Sequence, residues 1–186
     1  MSHSASAQPL NTDRLRLVPI SLRLLHAEQA GVRELAAALT AEIPESWPPE
    51  HWEPHVLEYL VRQLAETPRA AEWPAFYFLL RGNDGNADRL IGCAGFATPP
   101  DDSGSVEMGY GLLPEFQGRG LAGEGCRAMV EYAFSHSEVE RLLIHTLPDL
   151  APSIRLAERL GFRFDGPGTE PGTVRYVLER SSRPTS

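Results

Sequence analysis

Between residues 75 and 113 three apolar stretches follow one another with only short turns between them. Ala75–Leu80 is a continuous apolar run, Leu90–Ala97 a second strand and Ser105–Leu113 a third. The joints are Gly82-Asn-Asp-Gly-Asn, a hairpin type of turn, and Pro99-Pro-Asp-Asp-Ser-Gly. Strands joined this closely must run antiparallel, because parallel neighbours need a crossover of about a dozen residues or more. The spacing therefore predicts a meander at the centre of the chain and argues against a doubly wound parallel sheet.

The flanking segments supply helices and further strands. Arg14 to Val18 alternates as a first strand does. Val32, Leu35, Ala36 and Leu39 share one helical face, and that helix ends before Pro44. Val56, Leu57, Leu60, Val61 and Leu64 mark a second helix, closed by Pro68. Ala122, Cys126, Met129, Val130 and Ala133 line one face of a longer helix. Arg141–Leu147 reads as a strand, and Pro152–Leu160 as a helix with proline in its first turn and Gly161 at its stop. Phe162–Asp165 and Thr173–Glu179 are closing strands. The predicted order is β-αα-βββ-α-β-α-ββ. This is an α/β chain of the α+β type, a mixed and mainly antiparallel sheet with helices on both faces. At 186 residues we expect one domain over 10–180, with flexible tails at 1–9 and 181–186.

Charge narrows the partners. Seventeen basic against twenty-five acidic residues leave a net charge of -8, which argues against a nucleic-acid binder held by a basic face and suits a neutral or cationic substrate. Cys93 and Cys126 are too far apart for a zinc knuckle and read as buried small hydrophobes. His51 and His55 have metal-ligand spacing, but Pro54 interrupts them and no third ligand is evident, so no metal is expected. No apolar run reaches the roughly 20 residues of a membrane span, and Met1 to Pro9 lacks the basic and apolar regions of a signal peptide. The expectation is a cytoplasmic protein with no membrane partner; its oligomeric state is open, a homodimer included.

The segment most specific for chemistry is Pro114-Glu-Phe-Gln-Gly-Arg-Gly-Leu-Ala-Gly-Glu-Gly, between a strand and a long helix. Glycines allow the backbone close to a ligand, and the free N–H groups of a helix start favour an anion such as a pyrophosphate. Gly118, Gly120 and Gly123 also spell G-x-G-x-x-G. A dinucleotide fingerprint wants those glycines directly at a strand end, and here four residues intervene. No Gly-Lys-Ser/Thr follows, which excludes a P-loop. A dinucleotide site and a plain structural turn stay as alternatives.

Three separated motifs resemble the GNAT superfamily of acetyl-CoA-dependent N-acetyltransferases, and most of all its branch of ribosomal-protein N-terminal acetyltransferases. Gln117-Gly118-Arg119-Gly120-Leu121-Ala122 is similar to the family's Gln/Arg-x-x-Gly-x-Gly/Ala motif. Glu107-Met-Gly-Tyr resembles its Glu-Ile-Gly-Tyr strand, and Ser153-Ile-Arg-Leu-Ala-Glu-Arg-Leu-Gly161-Phe162 its serine-containing helix closed by Gly-Phe. The opening Thr12-Asp-Arg14-Leu-Arg-Leu fits as well.

The resemblance implies acetyl transfer from acetyl-CoA to a primary amine, either a protein N-terminus or a small amine. It puts the cofactor on Gln117, Gly118, Arg119, Gly120, Leu121, Ala122 and Gly123. Backbone N–H groups near Leu112 or Leu113 would polarise the thioester, on a strand that bulges and splays from its neighbour. Glu107 would be the general base, its plain alternative being a solvated strand acid. Ser153 or a tyrosine would protonate the leaving sulfur; Ser153 also reads as a helix-start residue. By period two, Met108 and Tyr110 share the face opposite Glu107, which favours a core role for Tyr110. Arg119 is the better phosphate partner and Arg127 a surface charge. Trp47, Trp52 and Trp73 fall in the acceptor-side segment and offer a substrate surface or a packed lid. One departure stands out: Leu150 occupies a place where the family usually has Asn. It makes a non-catalytic acyl-CoA-binding or sensing module a rival reading, with a nucleotide-dependent oxidoreductase more remote.

Overall fold

The computed structural model describes residues 7–182 apart from Pro68 and Asp84. The predicted meander is its centre: β4 (Ala75–Leu80), β5 (Asp88–Phe96) and β6 (Ser105–Leu112) pair antiparallel in turn. β1 (Leu10–Asn11) and β2 (Leu15–Pro19) extend the sheet beyond β4, and β7 (Arg141–Thr146), β9 (Val174–Glu179) and β8 (Arg163–Pro167) extend it beyond β6. The order is β1-β2-β4-β5-β6-β7-β9-β8, with the two-residue β3 (Ala41–Glu42) beside β5. Pairing is parallel only at β6–β7 and β3–β5 among the described residues.

Helices α1 (Leu22–Ala30), α2 (Val32–Leu39) and α3 (Pro54–Glu66) precede the meander, while α4 (Leu121–Ser135) and α5 (Ala151–Arg159) follow it. They cover opposite faces of the sheet, which explains the continuous apolar run of β4: a strand buried on both sides has no polar face to alternate with. Phe76 and Phe78 pack with Cys126, Met129 and Ala133 of α4, whereas Tyr77 and Leu79 pack with Leu24 and Leu25 of α1 and Leu35 of α2. Gly125 lets α4 settle onto this layer, since a Cβ there would lie 2.3 Å from the Phe78 ring. Burial pushes the Cys126 thiol up to about 12, in keeping with a packing role.

Three sequence expectations need correction. Helix α1 is absent from the periodicity reading, although Ser21 accepts from the Leu24 N–H as its cap. The two-residue strands β1 and β3 are too short to leave a pattern. β6 carries no bulge on its β5 side: it pairs one residue to one from Gly92↔Leu112 to Phe96↔Met108. Arg180, the last residue of the expected domain, is anchored by donating to the carbonyls of Phe134, His136 and Val139 at the close of α4. Residues 1–6 and 183–186 of the expected tails, Pro68 at the predicted helix end and Asp84 in the turn lie outside the described residues. None of the helices among the described residues is long and apolar enough to cross a membrane.

Candidate functional site

The sheet opens at one seam. β6 and β7 pair only at Ser105↔Arg141, Val106↔Leu142 and Glu107↔Leu143; beyond that point β7 continues with β9 alone. Register decides which backbone groups of β6 face this opening. Leu113 N–H donates to the Ile91 carbonyl at 2.9 Å, and Ala97 N–H to the Glu107 carbonyl at 2.9 Å. In an antiparallel ladder the hydrogen-bonding side alternates, so residues 107, 109, 111 and 113 bond toward β5 while 108, 110 and 112 point toward β7. The N–H of Leu112 thus faces the seam. The expectation for Leu113 is corrected: its N–H belongs to the β5 ladder.

The glycine segment closes one end of this seam. Residues Pro114–Phe116 form a 3-10 turn, and the Gln117 side chain reaches back to donate to the Leu112 carbonyl at 3.0 Å. Gly118 and Gly120 have φ of 70° and 76°, the left-handed region where a glycine avoids the Cβ conflict. Glu124 N–H donates to the Gly120 carbonyl, so the N–H groups of Leu121, Ala122 and Gly123 precede the first intrahelical bond of α4. The Leu121 side chain itself is buried in the core, and only its backbone is available to a ligand. Gly123 has a packing role too: a Cβ there would press on Leu156 of α5 at 3.3 Å. Arg119 is exposed beside the loop with its guanidinium 5.7 Å from the Phe116 ring centroid, and Arg127 is an exposed residue farther along α4.

A latch holds this helix start to the sheet. Glu124 accepts from the Thr12 hydroxyl at 2.5 Å, the Arg14 N–H at 2.8 Å and Arg14 Nε at 2.7 Å. Arg14 Nη1 donates to the Arg119 carbonyl at 3.1 Å. Partial burial alone would raise the Glu124 carboxyl, but the bonds from Thr12 and Arg14 outweigh it and hold the group below the usual carboxylate range. The Thr12–Arg14 motif thereby acquires a physical reason that its sequence spacing did not reveal.

Glu107 and Ser153 lie on opposite sides of the seam and do not touch. Glu107 shares the α1–α3 face with Gly109 and Gly111, is 43% exposed, and has Oε1 2.9 Å from His145 Nδ1. A Cβ at Gly109 would meet nothing within 4 Å, so the surface beside Glu107 is open. Ser153 lies in the first turn of α5, on the other face. Ser153 stands at the helix start, as expected, but does not cap it: Leu150 is the cap residue, without a side-chain cap bond, and Ser153 is already inside the helix. Its Oγ accepts from the Tyr110 hydroxyl at 3.3 Å. Burial raises the Tyr110 phenol and the Ser153 bond partly offsets this, so the hydroxyl is protonated at neutral pH. Tyr110, which its strand position placed in the core, thus also bonds to Ser153, and His145 beside Glu107 is what sequence reasoning missed. Leu150 is 47% exposed at the mouth of α5.

The three tryptophans separate. Trp47 and Trp52 donate their indole N–H to Glu28 Oε1 at 2.8 and 3.0 Å, and Tyr77 donates to Glu28 Oε2. This clamp folds the 44–52 segment over Gly111, whose Cβ would lie 3.6 Å from Pro49. Trp73 sits elsewhere, buried against Phe96, Tyr132 and His136, and does not join Trp47 and Trp52. His51 and His55 are both exposed, beside Glu50 and Glu53.

Residues 14–163 match the acetyltransferase (GNAT) domain. The uncharacterised N-acetyltransferase p20 of Bacillus licheniformis is 32% identical over 79 residues, which span 42% of this chain and 44% of that protein, under half its length. The uncharacterised N-acetyltransferase YjdG of Bacillus subtilis is 24% identical over 153 residues, or 82% of this chain and 88% of that protein. Among solved structures, RimL, a ribosomal L7/L12 alpha-N-protein acetyltransferase in complex with coenzyme A, superposes with a TM-score of 0.66 at 16% identity, covering 92% of this chain and 98% of its own.

Proposed function

The chain belongs to the GNAT acetyltransferase family, and on that premise we propose that it transfers acetyl from acetyl-CoA to a primary amine, first among these the α-amine of a protein N-terminus. The observation that carries this reading is the opened β6–β7 seam, with the glycine loop at its end, Glu107 on one face and the Ser153–Tyr110 pair on the other. The name and bound coenzyme A of RimL support the acceptor and the cosubstrate respectively.

The pyrophosphate of acetyl-CoA lies against the backbone N–H groups of 118–123, where unpaired amides and the helix dipole favour negative charge. Gln117 fixes the loop, and Arg119 offers a cation at its edge. The thioester enters the seam. The acceptor arrives over Gly109 from the Glu107 face and gives a proton to that carboxylate, directly or through one water. Its nitrogen attacks the carbonyl carbon, the C–N bond forms, and the Leu112 N–H steadies the developing oxyanion. The C–S bond then breaks, and the sulfur takes a proton from Ser153, which is resupplied from Tyr110; the second N–H proton, lost as the amide forms, passes through water to restore the Tyr110 hydroxyl. One proton per turnover passes to water when the acceptor enters as an ammonium.

The rival reading, a binding module without turnover, draws on Leu150, which offers no hydrogen bond where the resemblance expects Asn. A thiol-release assay with acetyl-CoA against three acceptor sets decides. The sets are free-N-terminal peptides such as Ser-Ala-Ala-Ala-amide, α-blocked peptides carrying lysine, and the small amines ethanolamine and putrescine. Release with the first set supports the proposal, and release with small amines alone moves the acceptor class. Tight acetyl-CoA binding with no release on any set supports the binding module.

A further inference from the structure

We propose that His145 is the positioning partner of Glu107 and that the two side chains take up the acceptor's proton as a pair. This rests on the reading of Glu107 as proton acceptor. Alternation along β7 buries Leu142, Ile144 and Thr146 in the core and turns Leu143 and His145 to the other face. The parallel register Glu107↔Leu143 then sets His145 one step beyond Glu107, where the seam begins to open. Nδ1 lies 2.9 Å from Glu107 Oε1, at ion-pair distance but outside hydrogen-bond alignment.

Both ring nitrogens are buried and neither has a hydrogen-bond partner, although the side chain is 11% exposed. Buried polar nitrogens are nearly always paired, so an imidazole left unpaired beside a candidate base calls for a role. The β8–β9 connection walls the ring in: a Cβ at Gly168 would lie 3.0 Å from His145 Cδ2. Glu107 faces the ring from β6. From β9, Arg175 stands opposite in the register, but Asp165 of β8 holds its guanidinium at 2.7 and 2.8 Å. Histidine χ2 is a broad torsion, and rotation about it is the motion that would align Nδ1 with the carboxylate.

The step is a proton transfer alone. An N–H bond of the acceptor ammonium breaks and an O–H bond forms at Glu107. The proton then passes to His145 Nδ1, which restores the carboxylate facing the amine. After transfer it returns through the half-exposed Glu107 to water.

The test uses the full chain, saturating acetyl-CoA and the three acceptor sets above. His145→Leu is expected to lower kcat about ten- to a hundredfold, the scale of a misplaced catalytic group, with acetyl-CoA Kd within about twofold. His145→Asn, which keeps a polar group near the Nδ1 position without titrating, should recover part of kcat. It should also flatten any acid-side fall in rate, since the replacement has no proton to gain. The double variant Glu107→Gln with His145→Leu should be no slower than Glu107→Gln alone, because a residue acting through Glu107 has nothing left to act on. A folded His145→Leu with wild-type kcat and pH profile overturns the inference, as does an additive double variant. Should the leucine variant not fold, an unchanged pH profile in His145→Asn overturns it equally. If Glu107→Gln is slow and the His145 variants are not, this inference alone falls. If Glu107→Gln runs at the wild-type rate, or no set is acetylated, the reading of Glu107 falls and takes this one with it.

Discussion

Replacing Gly120 tests the anion site with separable terms. Gly120 precedes α4 at φ 76° and ψ 2°, and the nearest atom to a Cβ there is Arg14 Nη2 at 3.5 Å, an ordinary contact. The fold therefore pays only for left-handed backbone, about 1 kcal/mol for Asn or Asp, the residues that tolerate it best. For a chain of this size that is a Tm drop of roughly 2–4 °C. Binding suffers more. A carboxylate about 5 Å from a phosphate charge, at an effective dielectric of about 40, repels it by about 1.7 kcal/mol. Two phosphate charges double this, and attraction of Arg14 to the new carboxylate offsets part of it. The net of about 1.5–3 kcal/mol weakens acetyl-CoA roughly 10–100-fold for Gly120→Asp. Gly120→Asn shares the backbone cost without the charge and should lose only a few-fold. Isothermal titration with acetyl-CoA, beside thermal melts of both variants, reads the difference. A folded Gly120→Asp that binds acetyl-CoA as tightly as Gly120→Asn would refute the placement of the pyrophosphate.

Ser153 does not cap α5, so Ser153→Ala should leave Tm nearly unchanged while slowing acetyl transfer roughly ten- to a hundredfold; Tyr110→Phe should slow it about three- to tenfold, both without loss of acetyl-CoA affinity in titration. The Glu124 carboxyl is held low when folded, so its contribution is complete above the ordinary carboxylate range and is lost as pH falls through the lowered value. Arg14 is half-exposed, which limits the latch to about 1 kcal/mol; the Tm gap between wild type and Glu124→Gln should be roughly 2–4 °C at neutral pH and close as pH falls through the lowered value. Glu28→Ala leaves the donors of Trp47, Trp52 and Tyr77 without their acceptor, and a loss of about 2–4 kcal/mol should lower Tm by roughly 5–15 °C and shift tryptophan emission to the red.

Legibility in the sequence followed the range of the interactions. β4, β5, β6 and α4 each announce themselves within their own residues, through an apolar run, hairpin turns or a helical stripe. Helix α1 did not, because only Leu24 and Leu25 of its nine residues are buried and the Ser21 cap was the stronger signal. The glycine loop was readable because its chemistry resides in backbone that glycine frees, at Gly118 and Gly120. Leu112 and Leu113 were indistinguishable until the β5 register assigned one N–H to the ladder and turned the other to the seam. Tyr110 meets Ser153, and His145 approaches Glu107, across strands and helices that only the sheet order brings together. The same holds for Glu28, whose three donors come from two other regions of the chain.

A crystal structure of the chain with acetyl-CoA tests the central claim most directly. The account predicts pyrophosphate oxygens within hydrogen-bond distance of backbone N–H groups of 118–123, and the thioester in the β6–β7 seam. It places the carbonyl oxygen toward the Leu112 N–H and the sulfur nearer Ser153 Oγ than Glu107. A pyrophosphate bound away from that loop, or a thioester outside the seam with Glu107 and Ser153 remote from it, would contradict the account.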